Sequence, residues 1–155
     1  MRRCLHGMYR TDCGSRLPAS YNVARQSSTE DLFCNEDYSE YIDLMAEWCN
    51  RCGVAIWAYC LVPNHTHLIA LPQTEESLRK AIGEAHRRYS RMINFREGWR
   101  GYLWQGRFSS FVMDQRYLLT AVRSIELNPV RAGLVKDPAT YRWSSEFRDV
   151  VDYVE

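Results

Sequence analysis

No apolar run in this 155-residue chain approaches the roughly 20 residues needed to cross a bilayer, and no charged-then-apolar leader opens it. Membrane-spanning and secreted classes are therefore set aside, and a cytoplasmic location is expected. Six cysteines (Cys4, Cys13, Cys34, Cys49, Cys52, Cys60) lack the paired spacing of a zinc knuckle, and without a secretory leader they read as free thiols. Cys49-x-x-Cys52, alone at the end of a helical pattern, is weak evidence for a metal site. Internal repeats and low-complexity tracts are also missing, and the length suits one domain with one substantial core. A net charge of +1 excludes nothing by itself.

The distribution of that charge says more. Between Arg79 and Arg131, ten arginines and one lysine stand against four acidic residues, a local net charge of +7 that leaves −6 for the remainder. Such asymmetry fits one face meeting a polyanion, and guanidinium suits bidentate phosphate contact better than ammonium does. Solvated helix faces would give the same count.

The most informative stretch is Val62-Pro63-Asn64-His65-Thr66-His67-Leu68-Ile69. A strand points residues i and i+2 to one face, so His65 and His67 could grip a single divalent cation from a rigid sheet. The Pro63-Asn64 turn follows the apolar run Val54–Val62 and precedes another, so the histidines open the second strand of a hairpin. Asn128, at the end of a later helical pattern, could add an amide oxygen. Imidazole with amide oxygen holds Mg²⁺ or Mn²⁺ less tightly than carboxylates would, which leaves room for a phosphate in the shell.

Periodicity organises the rest. Tyr21–Arg25 reads as a short strand, and a helix capped by Asn35 runs through Cys52 to Gly53, with Tyr38, Tyr41, Met45 and Trp48 as its apolar stripe. Strands follow at about Val54–Val62 and His65–Leu71. Thr74 begins a longer helix with Leu78, Ile82, Ala85, Tyr89 and Met92 on one side. Arg107–Met113 reads as a strand, and Asp114 caps a third helix running to Asn128, ended by Pro129. This order predicts an α+β fold, a ferredoxin-like βαββαβ sandwich with an antiparallel sheet and a following, site-bearing helix. Residues 1–18 read as an irregular extension, 19–150 as the domain and 151–155 as a tail. On the third helix Leu118, Val122 and Ile125 form the apolar face. Tyr117, Ala121, Ser124 and Asn128 line another, with Ser124 one turn before Asn128.

Three segments, Trp57–Ile69, Leu103–Phe108 and Ile125–Val135, together resemble the REP-associated tyrosine transposases over about Ser20 to Arg148. These are relatives of the single-strand insertion-sequence transposases that carry a His-hydrophobic-His motif. The resemblance implies a divalent ion, Mg²⁺ or Mn²⁺, held by His65, His67 and Asn128 against a scissile phosphate of single-stranded or hairpin DNA. In the family a tyrosine four residues before the amide attacks that phosphate, leaving a 5′-phosphotyrosine and a free 3′-hydroxyl. Here that catalytic position is Ser124, too short and too weakly acidic to replace a phenol, so activity is expected to be impaired or lost. Tyr117 shares the helix face but lies about 10 Å along it, too far to substitute.

Two smaller departures accompany this one. Thr66 stands between the histidines, where the family has a hydrophobic residue, and Ser20–Arg25 matches the family's first strand only loosely, without the glycine turn that follows it. The resemblance also implies phosphate contacts for Arg87, Arg88, Arg91, Arg107 and Arg123, and stacking of unpaired bases on Trp104 or Phe108. Trp143 is expected in the core. The expected partner is DNA, bound by a monomer or homodimer. Two other readings stay open: a non-catalytic DNA-binding protein that keeps the transposase fold, and a metal hydrolase in which the histidine pair activates water.

Overall fold

The computed structural model describes residues 20–25 and 34–145. The expected extension at 1–18 and tail at 151–155, with Cys4 and Cys13, lie outside the described residues. The elements are β1 (Ser20–Arg25), α1 (Asn35–Cys52), β2 (Val54–Val62), β3 (His65–Pro72), α2 (Glu75–Glu97), β4 (Ser109–Val112), α3 (Gln115–Glu126) and α4 (Asn128–Arg131), followed by a 3-10 turn at Pro138–Thr140. The sheet order is β2-β3-β1-β4, with each neighbouring pair antiparallel. This is the ferredoxin-like arrangement expected, and it places the histidine strand inside the sheet.

Helix ends follow local chemistry. Asn35, expected as the cap of α1, is instead its first helical residue, with Cys34 at the N-cap. The reason is Asp37, whose carboxylate reaches back to accept the Cys34 N–H at 3.2 Å and so fixes the start one residue earlier. Gly53 ends the helix with φ 68°, a left-handed conformation that side chains resist. Asp114 caps α3 as expected, accepting the N–H groups of Arg116 and Tyr117 at 2.9 and 3.1 Å. Strand β4 is shorter than the expected Arg107–Met113, because only Ser109–Val112 pairs with β1.

A single bulge decides which residues of β2 face which layer. Its pairing with β3 shifts register between Ile56 and Ala58, so Trp57 is the extra residue. Val54 and Ile56, and beyond the bulge Tyr59 and Leu61, pack with α1 and α2. Ala58, Cys60 and Val62 pack with Ile69 and with Leu118, Ala121, Val122 and Ile125 of α3 on the other face. Without the bulge, the even-numbered residues would all share one side. On β3, Leu68 and Ala70 belong to the α1 and α2 layer, and the Thr66 hydroxyl lies 3.4 Å from that of Tyr41 on α1. Alternation therefore turns His65 and His67 toward the α3 side.

The two sheet edges are treated differently. Alongside β2, the Leu61 N–H donates to the Trp143 carbonyl at 2.9 Å, Cys60 bridges Ser144, and Trp143 stacks on Tyr38 at 4.8 Å. Trp143 is thus core, as expected. At the opposite edge all four residues of β4 are exposed.

Among the described residues Asp37 is the buried carboxylate, 1% exposed. Burial opposes its ionisation, but the Arg96 guanidinium and the Cys34 N–H outweigh that and hold its carboxyl below the ordinary value. Arg96→Ala would leave the carboxylate enclosed without its partner. We expect a loss of about 2 kcal/mol in urea unfolding at pH 7, less than for a fully enclosed pair because the Arg96 side chain is 45% exposed. Asp37→Asn in the same background should recover part of it.

Candidate metal and DNA site

The two imidazoles meet edge to face, ring centroids 4.6 Å apart. On β2, Cys60 and Val62 stand opposite His67 and His65, and on β1, Val23 and Arg25 do. His67 is buried and His65 half-buried, so the pair opens outward at the start of the strand. The Asn64 side-chain oxygen lies 2.5 Å from His65 Nδ1. With the proton on Nδ1, that contact aims Nε2 as the donor to a cation, the usual means by which a second group orients a histidine ligand. Among the described residues no group of three or more His, Cys, Asp or Glu side chains is placed to hold a metal. The two imidazoles offer nitrogen donors of the kind a divalent ion accepts.

Asn128 is carried by the short helix α4, which follows α3 and packs against β2. The helix expected to run unbroken to Asn128 is in fact two, because Pro129 offers no N–H to the Ile125 carbonyl. Helix α3 ends at Glu126, and Leu127 keeps a right-handed conformation (φ −78°, ψ −5°) with its N–H on Arg123 O at 3.0 Å. Winding resumes as Arg131 and Ala132 donate to the carbonyls of Leu127 and Asn128 at 3.0 and 2.8 Å. Asn128 opens α4 half-buried, and Pro129 beside it is buried. Ser124, also half-buried, stays on the preceding turn, and Tyr117 is exposed.

Sequence reasoning missed Arg131, whose guanidinium donates to Ser124 Oγ at 2.9 Å. Its signal was available: residues 117, 121, 124, 128 and 131 continue one helical stripe at alternating spacings of four and three.

The other arginines divide between faces. Helix α2, which carries Arg87, Arg88 and Arg91, packs on the side of the sheet away from the histidines. Arg87 is forked onto Glu84 at 2.7 Å, and Arg88 lies over the Trp48 ring at 4.7 Å. Arg91 is exposed. Arg123 is exposed on α3, in the histidine-side layer, and Arg107 is exposed ahead of β4.

Trp104, expected as a platform for unpaired bases, is largely enclosed in this fold. It is 9% exposed and stacked on His86, centroids 4.0 Å apart at 12°, with Tyr41 and Tyr89 around it. Its segment folds into the α1 and α2 core, so the ring serves packing, and Phe108 lies partly buried against the same core. His86 also approaches Tyr41 Oη at 2.9 Å, joining the loop to Tyr41 and, through it, to Thr66. The described cysteines are free, and burial pushes the Cys49 and Cys60 thiols up to about 12, which makes them inert.

The chain belongs to the IS200-like transposases, whose family model matches residues 22–128. Its fold is that of the REP-associated tyrosine transposases: it is similar to the structure of one bound to a REP hairpin, with a TM-score of 0.70 at 19% identity, over 95% of this chain and 87% of that one. It is also similar to a putative transposase from Deinococcus radiodurans R1, with a TM-score of 0.53 at 12% identity, over 77% of this chain and 96% of that one. Among curated proteins none matches the sequence.

The buried His86 makes stability depend on pH. Burial pushes it down to about 3 from 6.5, so the folded chain keeps it neutral while the unfolded chain protonates it first. Falling pH below about 6.5 then favours unfolding, on the order of 1 kcal/mol per pH unit until the folded value is reached. Asp37 adds its own loss only below the ordinary carboxylate range. Between pH 6.5 and 5, His86→Gln should flatten the slope of unfolding free energy against pH by about one proton. An unchanged slope would show that His86 is not the group responsible.

Proposed function

We propose that the protein binds single-stranded or hairpin DNA on the α3 side of its sheet and holds a divalent cation, Mg²⁺ or Mn²⁺, on His65, His67 and Asn128. One observation carries the reading: strand alternation turns both histidines to the face covered by α3, the helix that bears Ser124 and leads directly into Asn128. Membership of the transposase family and similarity to a relative bound to a REP hairpin support DNA as the ligand. A bound cation would polarise a backbone phosphate. Asn64 orients His65, and the exposed Arg123 is available to a neighbouring phosphate.

Ser124 occupies the position from which the family's tyrosine attacks. Its hydrogen-bond partner is Arg131, a guanidinium that can give a proton contact but cannot take a proton. Nothing about that pairing activates the hydroxyl, so the chain binds without forming a covalent link.

The assay is a labelled hairpin oligonucleotide with Mg²⁺ or Mn²⁺, read on a denaturing gel. The unmodified protein is expected to bind and to give no shifted band. Ser124→Tyr should give a 5′-phosphotyrosine adduct that chelation abolishes and that His65→Ala removes. An adduct from the unmodified protein would overturn the inactive reading, and cleaved DNA without an adduct would favour water activated at the histidine pair.

Contacts from Arg87, Arg88 and Arg91 require DNA to continue round the sheet to the α2 layer. Neutralising all three should weaken binding and flatten its salt dependence, since each phosphate contact releases counterions. An unchanged salt slope would confine the DNA to the α3 side.

A further inference from the structure

We infer that Ser124 and Arg131 form a clamp for one DNA phosphate, so that the residue at the nucleophile's position holds the phosphate without attacking it. The inference rests on the DNA-binding reading above and adds Arg131 to it. Arg131 donates to Ser124 Oγ at 2.9 Å, which occupies an acceptor site of the hydroxyl and leaves its own proton to be given outward. The guanidinium keeps further N–H donors, and its side chain is exposed. Two adjacent outward donors, one of them charged, complement an anion with more than one acceptor oxygen, as a phosphodiester is.

Six of the other arginines differ from Arg131, whereas Arg91, Arg100, Arg107, Arg123 and Arg142 share its lack of an ion-paired carboxylate among the described residues. Arg51, Arg79, Arg87, Arg88, Arg96 and Arg116 each have a carboxylate within 4 Å. Among the described residues Arg131 has none, and its polar side-chain contact is the serine hydroxyl. Its charge is therefore not already neutralised by a neighbour. Asn128 lies between Ser124 and Arg131 on the helical stripe, so a phosphate held by the clamp sits beside the amide assigned to the cation.

The test replaces each phosphate of the hairpin oligonucleotide in turn with a neutral methylphosphonate and measures binding. For the unmodified protein, one linkage near the site should cost about ten- to a hundredfold in affinity, as expected for a charge-assisted hydrogen bond. Arg131→Ala and Ser124→Ala should each weaken binding to unmodified DNA and erase the penalty at that linkage while leaving the other penalties in place. Arg131→Gln provides the same comparison should the alanine variant fold poorly. Penalties that stay the same at every linkage in the Arg131 variants would overturn the clamp and leave the DNA reading standing. No binding by the unmodified protein would overturn both.

Discussion

The direction in which β3 faces is the constraint on which the site depends. The strand is shared by two layers, and its alternation is pinned where the Thr66 hydroxyl meets Tyr41, a side chain with no exposed surface. A slip of one residue would send Thr66 to the α3 side and drive both imidazoles into the α1 and α2 core. The bulge at Trp57 performs the matching adjustment on β2, turning Cys60 and Val62 to the face where their partners His67 and His65 lie. The threonine between the histidines, a departure from the family's hydrophobic residue, thus has a polar partner of its own. Tyr41 extends that contact to His86, and His86 to the stacked Trp104.

Most of the architecture was legible in the sequence because it is encoded locally. The Pro63-Asn64 turn between two apolar runs specifies a hairpin, the spacing of Leu78, Ile82, Ala85 and Tyr89 specifies a buried helix face, and Gly53 and Asp114 specify ends. The histidines' common face followed from strand geometry alone. Contacts between distant segments were not legible. Trp104 in a polar loop looks like a surface aromatic until α2 supplies His86 to cover it. The split between α3 and α4 was nominally visible in Pro129, yet its effect depends on the carbonyl four residues earlier losing a donor.

Charge shows the same limit. The segment from Arg79 to Arg131 reads as a single basic block, but folding divides it between opposite sides of the sheet. Some of its members, Arg87 and Arg96 among them, are already committed to carboxylates. A linear count therefore overstates the positive surface that any one stretch of DNA meets, and what matters is which guanidinium groups have no acidic neighbour.

The topology also orders the assembly of the site in time. The β2 and β3 hairpin closes through a two-residue turn, an event of microseconds, whereas β1 must find Ala70 from Ser20 and Val112 from the same residue. As the chain is synthesised, the histidine pair emerges some sixty residues before Asn128, about 3 to 12 s at ordinary elongation rates. For that interval the nascent chain carries the two imidazoles on a hairpin whose outer face α3 does not yet cover. The face proposed above for cation and DNA is therefore completed only in the finished fold and offers no grip to the growing chain.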